Sequence, residues 1–415
     1  MFWPSSRPSP QQRAVGRNLA LDLFVAVGIG VSMAMVTTLL PTIARRGGLE
    51  PIGLAALGAA PFIANLLGAF AGRVGPRTPR QLGLLRALGA ASLIVFVLQP
   101  PPVVTIALAT VYWVSMSMGS PFYLRLWGGM YPPRLLGRLL GIVGMARAGA
   151  AALAAVAGGI VADALGGPTA VAIAGAVGVA CAAGYFGLRA VSRVEQHRFT
   201  ARESIAALRE GVVLRRVAVA QGFYGGGMIA AVPLFALVHV DRLDLTLSDV
   251  GVIGILSALA TMLAFPLWGM VSDRFGPMVA MRIGGAIGAS ALVAYALAPH
   301  VAVLWVAAVG LGTAGASIDV GIAAVVSQQT TLATRAPAMA GWNAITGARG
   351  IVAAFLMSGL VQLGLVDVTV GLLLCAVASL VGVLLFVRTG VDAPDLGPER
   401  TLPPPATRSL PAPAR

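Results

Sequence analysis

Apolar runs of about twenty residues recur along the whole chain, and they constrain its fold more than any other feature. A helix needs about 20 apolar residues to cross the hydrocarbon core of a bilayer. The runs fall at 19–43, 51–72, 80–99, 102–124, 137–162, 168–190, 214–239, 248–271, 278–298, 301–326, 337–362 and 367–388. Turn-forming residues separate several of them, as at Pro100-Pro101-Pro102, Gly166-Gly167-Pro168 and Pro299-His300. The runs do not alternate polar and apolar residues, as barrel strands would, so every backbone polar group inside lipid must be satisfied within a helix. The chain is therefore expected to be an all-α polytopic membrane protein with twelve transmembrane helices.

Charge agrees with this expectation. Only 11% of the 415 residues are charged, against about 25% in soluble proteins. All 29 basic residues are arginine. Without lysine the chain has no GxxxxGK[ST] phosphate loop and no Schiff-base amine. Twenty-three arginines fall between runs or at run ends on one side of the expected membrane. Three (Arg45, Arg46, Arg242) fall on the other side, and three (Arg86, Arg147, Arg349) lie within runs. This is the positive-inside asymmetry, and it predicts that both termini face the cytoplasm. The net charge of +14 thus reads as topology, with no nucleic-acid partner. Arg7, Arg13 and Arg17 precede a run too long for a signal peptide, so the first run is read as an uncleaved helix.

The long polar stretch from Arg189 to Arg216 divides the runs into six and six. The expected organisation is a cytoplasmic N-terminal segment (1–18), a six-helix bundle (19–190), a cytoplasmic linker (191–213) and a second bundle (214–388). A Pro-rich cytoplasmic tail (389–415) follows. Within the linker, residues 201–210 are read as an amphipathic surface helix. The two bundles share a pattern. Residues 68–75 read GAFAGRVG and residues 269–276 read GMVSDRFG, an offset of 201. Ala146-Arg147 and Ala348-Arg349 align at an offset of 202. Duplicated six-helix halves are a transporter architecture.

At these residues the chain resembles the major facilitator superfamily. GMVSDRFG is similar to that family's signature GxxxDRxG, which joins helices two and three and recurs between eight and nine. The resemblance spans residues 19–388. It implies two pseudo-symmetric six-helix bundles and a cytoplasmic gating role for Gly68, Arg73, Gly75, Gly269, Asp273, Arg274 and Gly276. Gly72 stands where the family has Asp, and the fourth run lacks the family's membrane-embedded arginine. The fifth run ends in Gly158-Gly159, as the antiporter signature does, without its Gly-Pro.

Ionisable groups in hydrocarbon are costly and face a partner or a wet cavity. Arg147 lies about ten residues, or ~15 Å, into its run, and Arg349 lies as deep in the matching run. Together they suit bidentate binding of a carboxylate or phosphate. The alternative is structural, with Arg349 paired to Asp319. Tyr112, Trp113, Gln221 and Tyr224 are further substrate-binding candidates, alongside Thr37, Thr38, Ser115, Trp305, Thr313 and Ser317. Asp319 and Asp22 are the proton-coupling candidates. Asp22 and Arg86 are read as lying near the membrane surface and able to snorkel.

Cys181 and Cys375 are read as packing residues. No His cluster suggests a metal. Gly310-Leu-Gly-Thr-Ala-Gly315 fits a dinucleotide motif but lies inside an apolar run, so it reads as helix packing. Gly137/Gly141 and Gly284/Gly288 read as close helix contacts. The expectation from residues and resemblance is a monomeric secondary active transporter in the plasma (inner) membrane. It would move a small amphipathic or anionic molecule by alternating access, with proton-coupled efflux and no cofactor. Uptake or facilitated diffusion of a metabolite, or a non-transporting sensor, remain alternatives. An enzyme is not expected.

Overall fold

A computed structural model describes residues 10–68, 75–189, 203–204, 206 and 212–387. Arg73, most of the 191–213 linker, most of the 201–210 surface helix and the 389–415 tail lie outside the described residues.

Every element among the described residues is helical. α1 runs from Pro10–Ala34 through a π-turn at Met35–Leu39 into Leu40–Arg46. α2 is Pro51–Gly68, α3 Pro79–Ile94, α4 Pro102–Met130, α5 Pro133–Leu165 and α6 Gly167–Ala182. α7, Val212–Leu237, also ends in a π-turn, Val238–Arg242. α8 is Leu247–Phe275, α9 Pro277–Leu297, α10 Val301–Gln329, α11 Leu332–Gln362 and α12 Val368–Val387. Eleven of the twelve are long and apolar enough to cross a membrane, and α2 is a shorter apolar helix. Leu98, Val103 and Leu153, among many large apolar side chains, point outward. That pattern suits a surface solvated by lipid.

Several helices outrun the apolar segments that announced them. α1 begins at Pro10, within what was read as the N-terminal segment, α4 continues to Met130 and α11 begins at Leu332. Hydropathy reports where lipid solvates a helix, not where its hydrogen-bond ladder stops. Gly269, Asp273 and Arg274 are likewise helical, in the last turns of α8 rather than in a loop. Only Gly276, at φ +90°, turns the chain into α9.

Glycines set the closest helix crossings. A side chain on Gly159 of α5 would strike the Leu247 carbonyl of α8, and one on Gly251 of α8 would strike the Ala155 carbonyl of α5. A side chain on Gly347 or Gly350 of α11 would meet Phe62 of α2. These two pairs, α5 with α8 and α2 with α11, join α1–α6 to α7–α12. Gly284 and Gly288 pack against Ser317 and Tyr224, as expected, and α10 runs unbroken through Gly310–Gly315. Gly137 and Gly141 face open space, so they make no helix contact among the described residues. Both cysteines are free and buried.

Candidate functional site

The hydrogen bonds that cross from α1–α6 to α7–α12 gather at the end of the bundle away from the chain termini. Arg45 of α1 holds Asp241 bidentately, its Nε and Nη2 donating at 3.0 and 2.8 Å. Arg46 donates to the Leu245 carbonyl. Thr42 Oγ1 and His239 Nδ1 share a hydrogen bond of 3.1 Å. Gln362 donates to Glu50 at 2.8 Å and accepts from Ile52 N–H at 2.8 Å.

α8 begins at this same seal. A helix start leaves its first N–H groups without partners inside the helix. Thr246 caps Asp249 N–H from within α8. The two preceding groups, Leu247 and Ser248 N–H, donate to the Asp163 carboxylate of α5 at 2.9 and 2.8 Å. Ser248 Oγ adds a third bond, at 2.5 Å. One half of the molecule thus caps a helix of the other.

Toward the middle of the helices, three ionisable side chains have no ion pair among the described residues. Arg147 is exposed on α5. Asp319 is exposed on α10, in one stripe with Gly315 and Ala323 at four-residue spacing. No ion pair joins Asp319 to Arg349, the structural alternative open from sequence. Arg349 of α11 is half-buried and donates from Nη1 to the main-chain oxygen of Gln221 at 2.5 Å. Its Nε and the Oε1 of Gln221 are buried without a partner. A Cβ on Gly225 would sit 2.7 Å from Arg349 Nη2, so this glycine makes the room in which the guanidinium lies. The stretch Gln221–Gly225 therefore packs against the Arg349 guanidinium of α11.

Other candidates go elsewhere. Tyr112 is fully buried inside the α1–α6 bundle, where its hydroxyl and that of Ser32 share a 3.1 Å bond. Trp113 packs edge-on against it, half-buried. Tyr224 packs against Phe386 within the α7–α12 bundle, the rings tilted by 53° with centroids 6.3 Å apart. Ser115 and Ser317 close against Gly89 and Gly284. These are interior contacts rather than an open binding surface. Helix periodicity shows that one face is polar but not which neighbour it meets.

Asp22 and Arg86 do not snorkel; both are buried. Asp22 accepts hydrogen bonds from Tyr123, from Trp127 Nε1 at 2.9 Å and from Tyr131 at 2.8 Å. Three aromatic donors replace the water that a surface carboxylate would hold. Arg86 reaches Met116 and Ser120 on α4, leaving Nε without a partner. Asp273 and Arg274 are exposed, and Arg274 lies 5.3 Å from the Phe275 ring centroid. Gly68 ends α2, and Gly75 precedes α3.

His239, at the end of the seventh apolar run, carried no expectation from sequence. It is 6% exposed and bonded on both ring nitrogens, with Nε2 3.3 Å from the Tyr295 hydroxyl. A histidine inside Val-His-Val at the end of an apolar run was the available signal.

Residues 217–413 match the model of the Major Facilitator Superfamily. No curated protein matches the chain. Among solved structures, it is similar to the nucleoside transporter NupG (D323A mutant) with TM-score 0.72 at 14% identity, covering 90% of this chain and 100% of that one. It is similar to the peptide transporter POT in complex with sulfate with TM-score 0.69 at 14% identity, covering 92% and 98%. The human organic anion transporter MFSD10 matches with TM-score 0.61 at 13% identity, covering 91% and 100%. At these identities the likeness is one of fold. The C-terminal half thus matches the Major Facilitator Superfamily by sequence, and about nine-tenths of the chain shares the fold of these transporters.

Proposed function

We propose that the chain is a proton-coupled secondary transporter of a small organic anion, working by alternating access between its two halves. The observation that carries this reading is an asymmetry. The halves are bonded together at one end, while Arg147, Arg349 and Asp319 sit at mid-helix with no ion pair among the described residues. Two cations and one carboxylate give this set of three a net positive charge. Arg349 keeps donors free beyond its one bond to Gln221, and a carboxylate or phosphate would complete them. The resemblance to a human organic anion transporter and to a sulfate-bound peptide transporter is compatible with this chemistry.

The charge of the substrate sets the sense of coupling. An anion at Arg349 raises the negative potential at Asp319 and favours its protonation. Anion and proton then bind together and cross together, which drives uptake along an inward proton gradient. Efflux, the direction expected from sequence, needs a substrate that competes with the proton. A cationic amphiphile at Asp319 would do so, and that is the second reading.

The test uses purified full-length chain in sealed vesicles with an imposed pH gradient and a panel of radiolabelled organic anions. Accumulation toward the alkaline side, lost in Arg349→Gln, is the expected result. Asp319→Asn should keep anion exchange and lose the response to pH. Accumulation of cations toward the acidic side, unaffected by Arg349→Gln, would replace this reading with the second one.

A further inference from the structure

His239 occupies a position that neither the substrate region nor the family signature uses. It lies in the π-turn that ends α7, inside the seal. It bridges the halves, because Thr42 belongs to α1 and Tyr295 to α9. Both partners are hydroxyls, each able to donate or accept, so a neutral imidazole satisfies both nitrogens.

The surrounding charges do not suit an imidazolium. On the same turn, Asp241 is already engaged by Arg45 of α1 through both of its oxygens. Arg242 donates to the carbonyls of Ala296 and Tyr295 in the last turn of α9. Arg46 of α1 donates to the Leu245 carbonyl. Tyr295 is the titratable group facing His239 from α9, and it is already bonded to the ring. Each of these charges is bonded elsewhere, and none of them is bonded to the buried ring. A proton added there would be a desolvated charge with no counter-ion.

When the halves part at this end, the bond to Thr42 breaks and the ring meets water. A group that holds a proton poorly in one arrangement and well in the other links proton binding to the equilibrium between them. We infer that His239 is a proton-binding site of the seal, whose occupation from the compartment opposite the termini unlocks the two halves. It rests on the alternating-access reading but not on the identity of the substrate, nor on Asp319, which lies away from the seal.

The experiment places spin labels at Leu165→Cys, at the end of α5, and Leu365→Cys, between α11 and α12. Both positions are exposed, at 62% and 66%. Cys181 and Cys375 are replaced by alanine, and the full chain is reconstituted in nanodiscs. Distances are recorded from pH 8 to pH 5. The wild-type seal should open on acidification, the open-to-closed ratio changing by at most about tenfold per pH unit for one linked proton. His239→Gln should stay closed across the range. Thr42→Asp, which keeps the histidine and supplies a counter-ion, should shift the opening to lower pH.

The inference is overturned if the wild type does not respond to pH, or if His239→Gln responds as the wild type does. Asp163→Ala, which uncaps α8, serves as the control for rocking itself. If it opens the seal while pH does not, His239 is excluded and alternating access stands. If nothing opens the seal, both fail.

Discussion

Asp163 and Asp241 are two of the acidic residues that tie the halves together at the same end, and their geometry ranks them. Asp163→Ala removes the acceptor of the first two N–H groups of α8. Loss of a helix cap costs about 1–2 kcal/mol. Loss of a negative charge beside a helix N-terminus adds about 0.3–1 kcal/mol. A total of about 2 kcal/mol shifts the closed-to-open equilibrium by about 30-fold, at about 1.4 kcal/mol per factor of ten. Asp241→Ala breaks an ion pair whose side chains are 25% and 42% exposed. Water already screens such a pair, so the loss is about 0.2–1 kcal/mol, no more than about fivefold. The assay is alkylation of Val250→Cys, one turn into α8 and 1% exposed in the closed seal. In a background without the native cysteines, a membrane-impermeant maleimide applied from the side opposite the termini reacts at a rate proportional to the open fraction. Asp163→Ala should accelerate the reaction about 30-fold and Asp241→Ala about fivefold at most. Equal effects, or the reverse order, would refute the claim that the inter-half helix cap dominates the seal.

Arg349→Gln should weaken binding of an organic anion about 10- to 150-fold, the loss of a charged hydrogen bond of about 1.5–3 kcal/mol; calorimetry on the purified chain reads it. Gly225→Ala brings a methyl 2.7 Å from Arg349 Nη2. It should displace the guanidinium and weaken the same anion about tenfold or less, since a side-chain end can yield, while thermal unfolding without anion stays near wild type. Asp22→Ala leaves Tyr123, Trp127 and Tyr131 without their acceptor. It should destabilise the α1–α6 bundle by about 1–3 kcal/mol for each buried donor left without an acceptor, seen as a lower midpoint in detergent unfolding, with Asp22→Asn losing less.

The twelve helices were legible because lipid imposes one length and one composition on any segment that crosses it. The pairing of Gly284 and Gly288 with α7 and α10 was legible for a related reason, since small residues at four-residue spacing invite a neighbour. Gly137 and Gly141 have the same spacing and meet nothing, so the spacing alone does not say whether a neighbour comes. Tyr112 and Tyr224 were read as binding residues because aromatic side chains with sparse hydroxyls suit an amphipathic small molecule. Instead, a hydroxyl on α1 of the same bundle took up one, and a tilted phenyl ring packs against the other. Asp22 was read by its distance from the helix end. What fixes its environment is a set of aromatic donors about a hundred positions later. The π-turns at Met35–Leu39 and Val238–Arg242 add a residue to one turn. They rotate everything after them relative to a 3.6-residue pattern, and His239 lies within the second.

Helices α4, α5, α8, α10 and α11 run 29 to 33 residues. At 1.5 Å per residue they are about 44–50 Å long, well beyond a hydrocarbon core of about 30 Å. Long stiff rods fastened near one tip act as levers. A tilt of about 10° around that fastening sweeps tips ~45 Å away through about 8 Å, while atoms close to the pivot move by an ångström or two. A few short contacts can therefore command a wide mouth on the far side of the membrane.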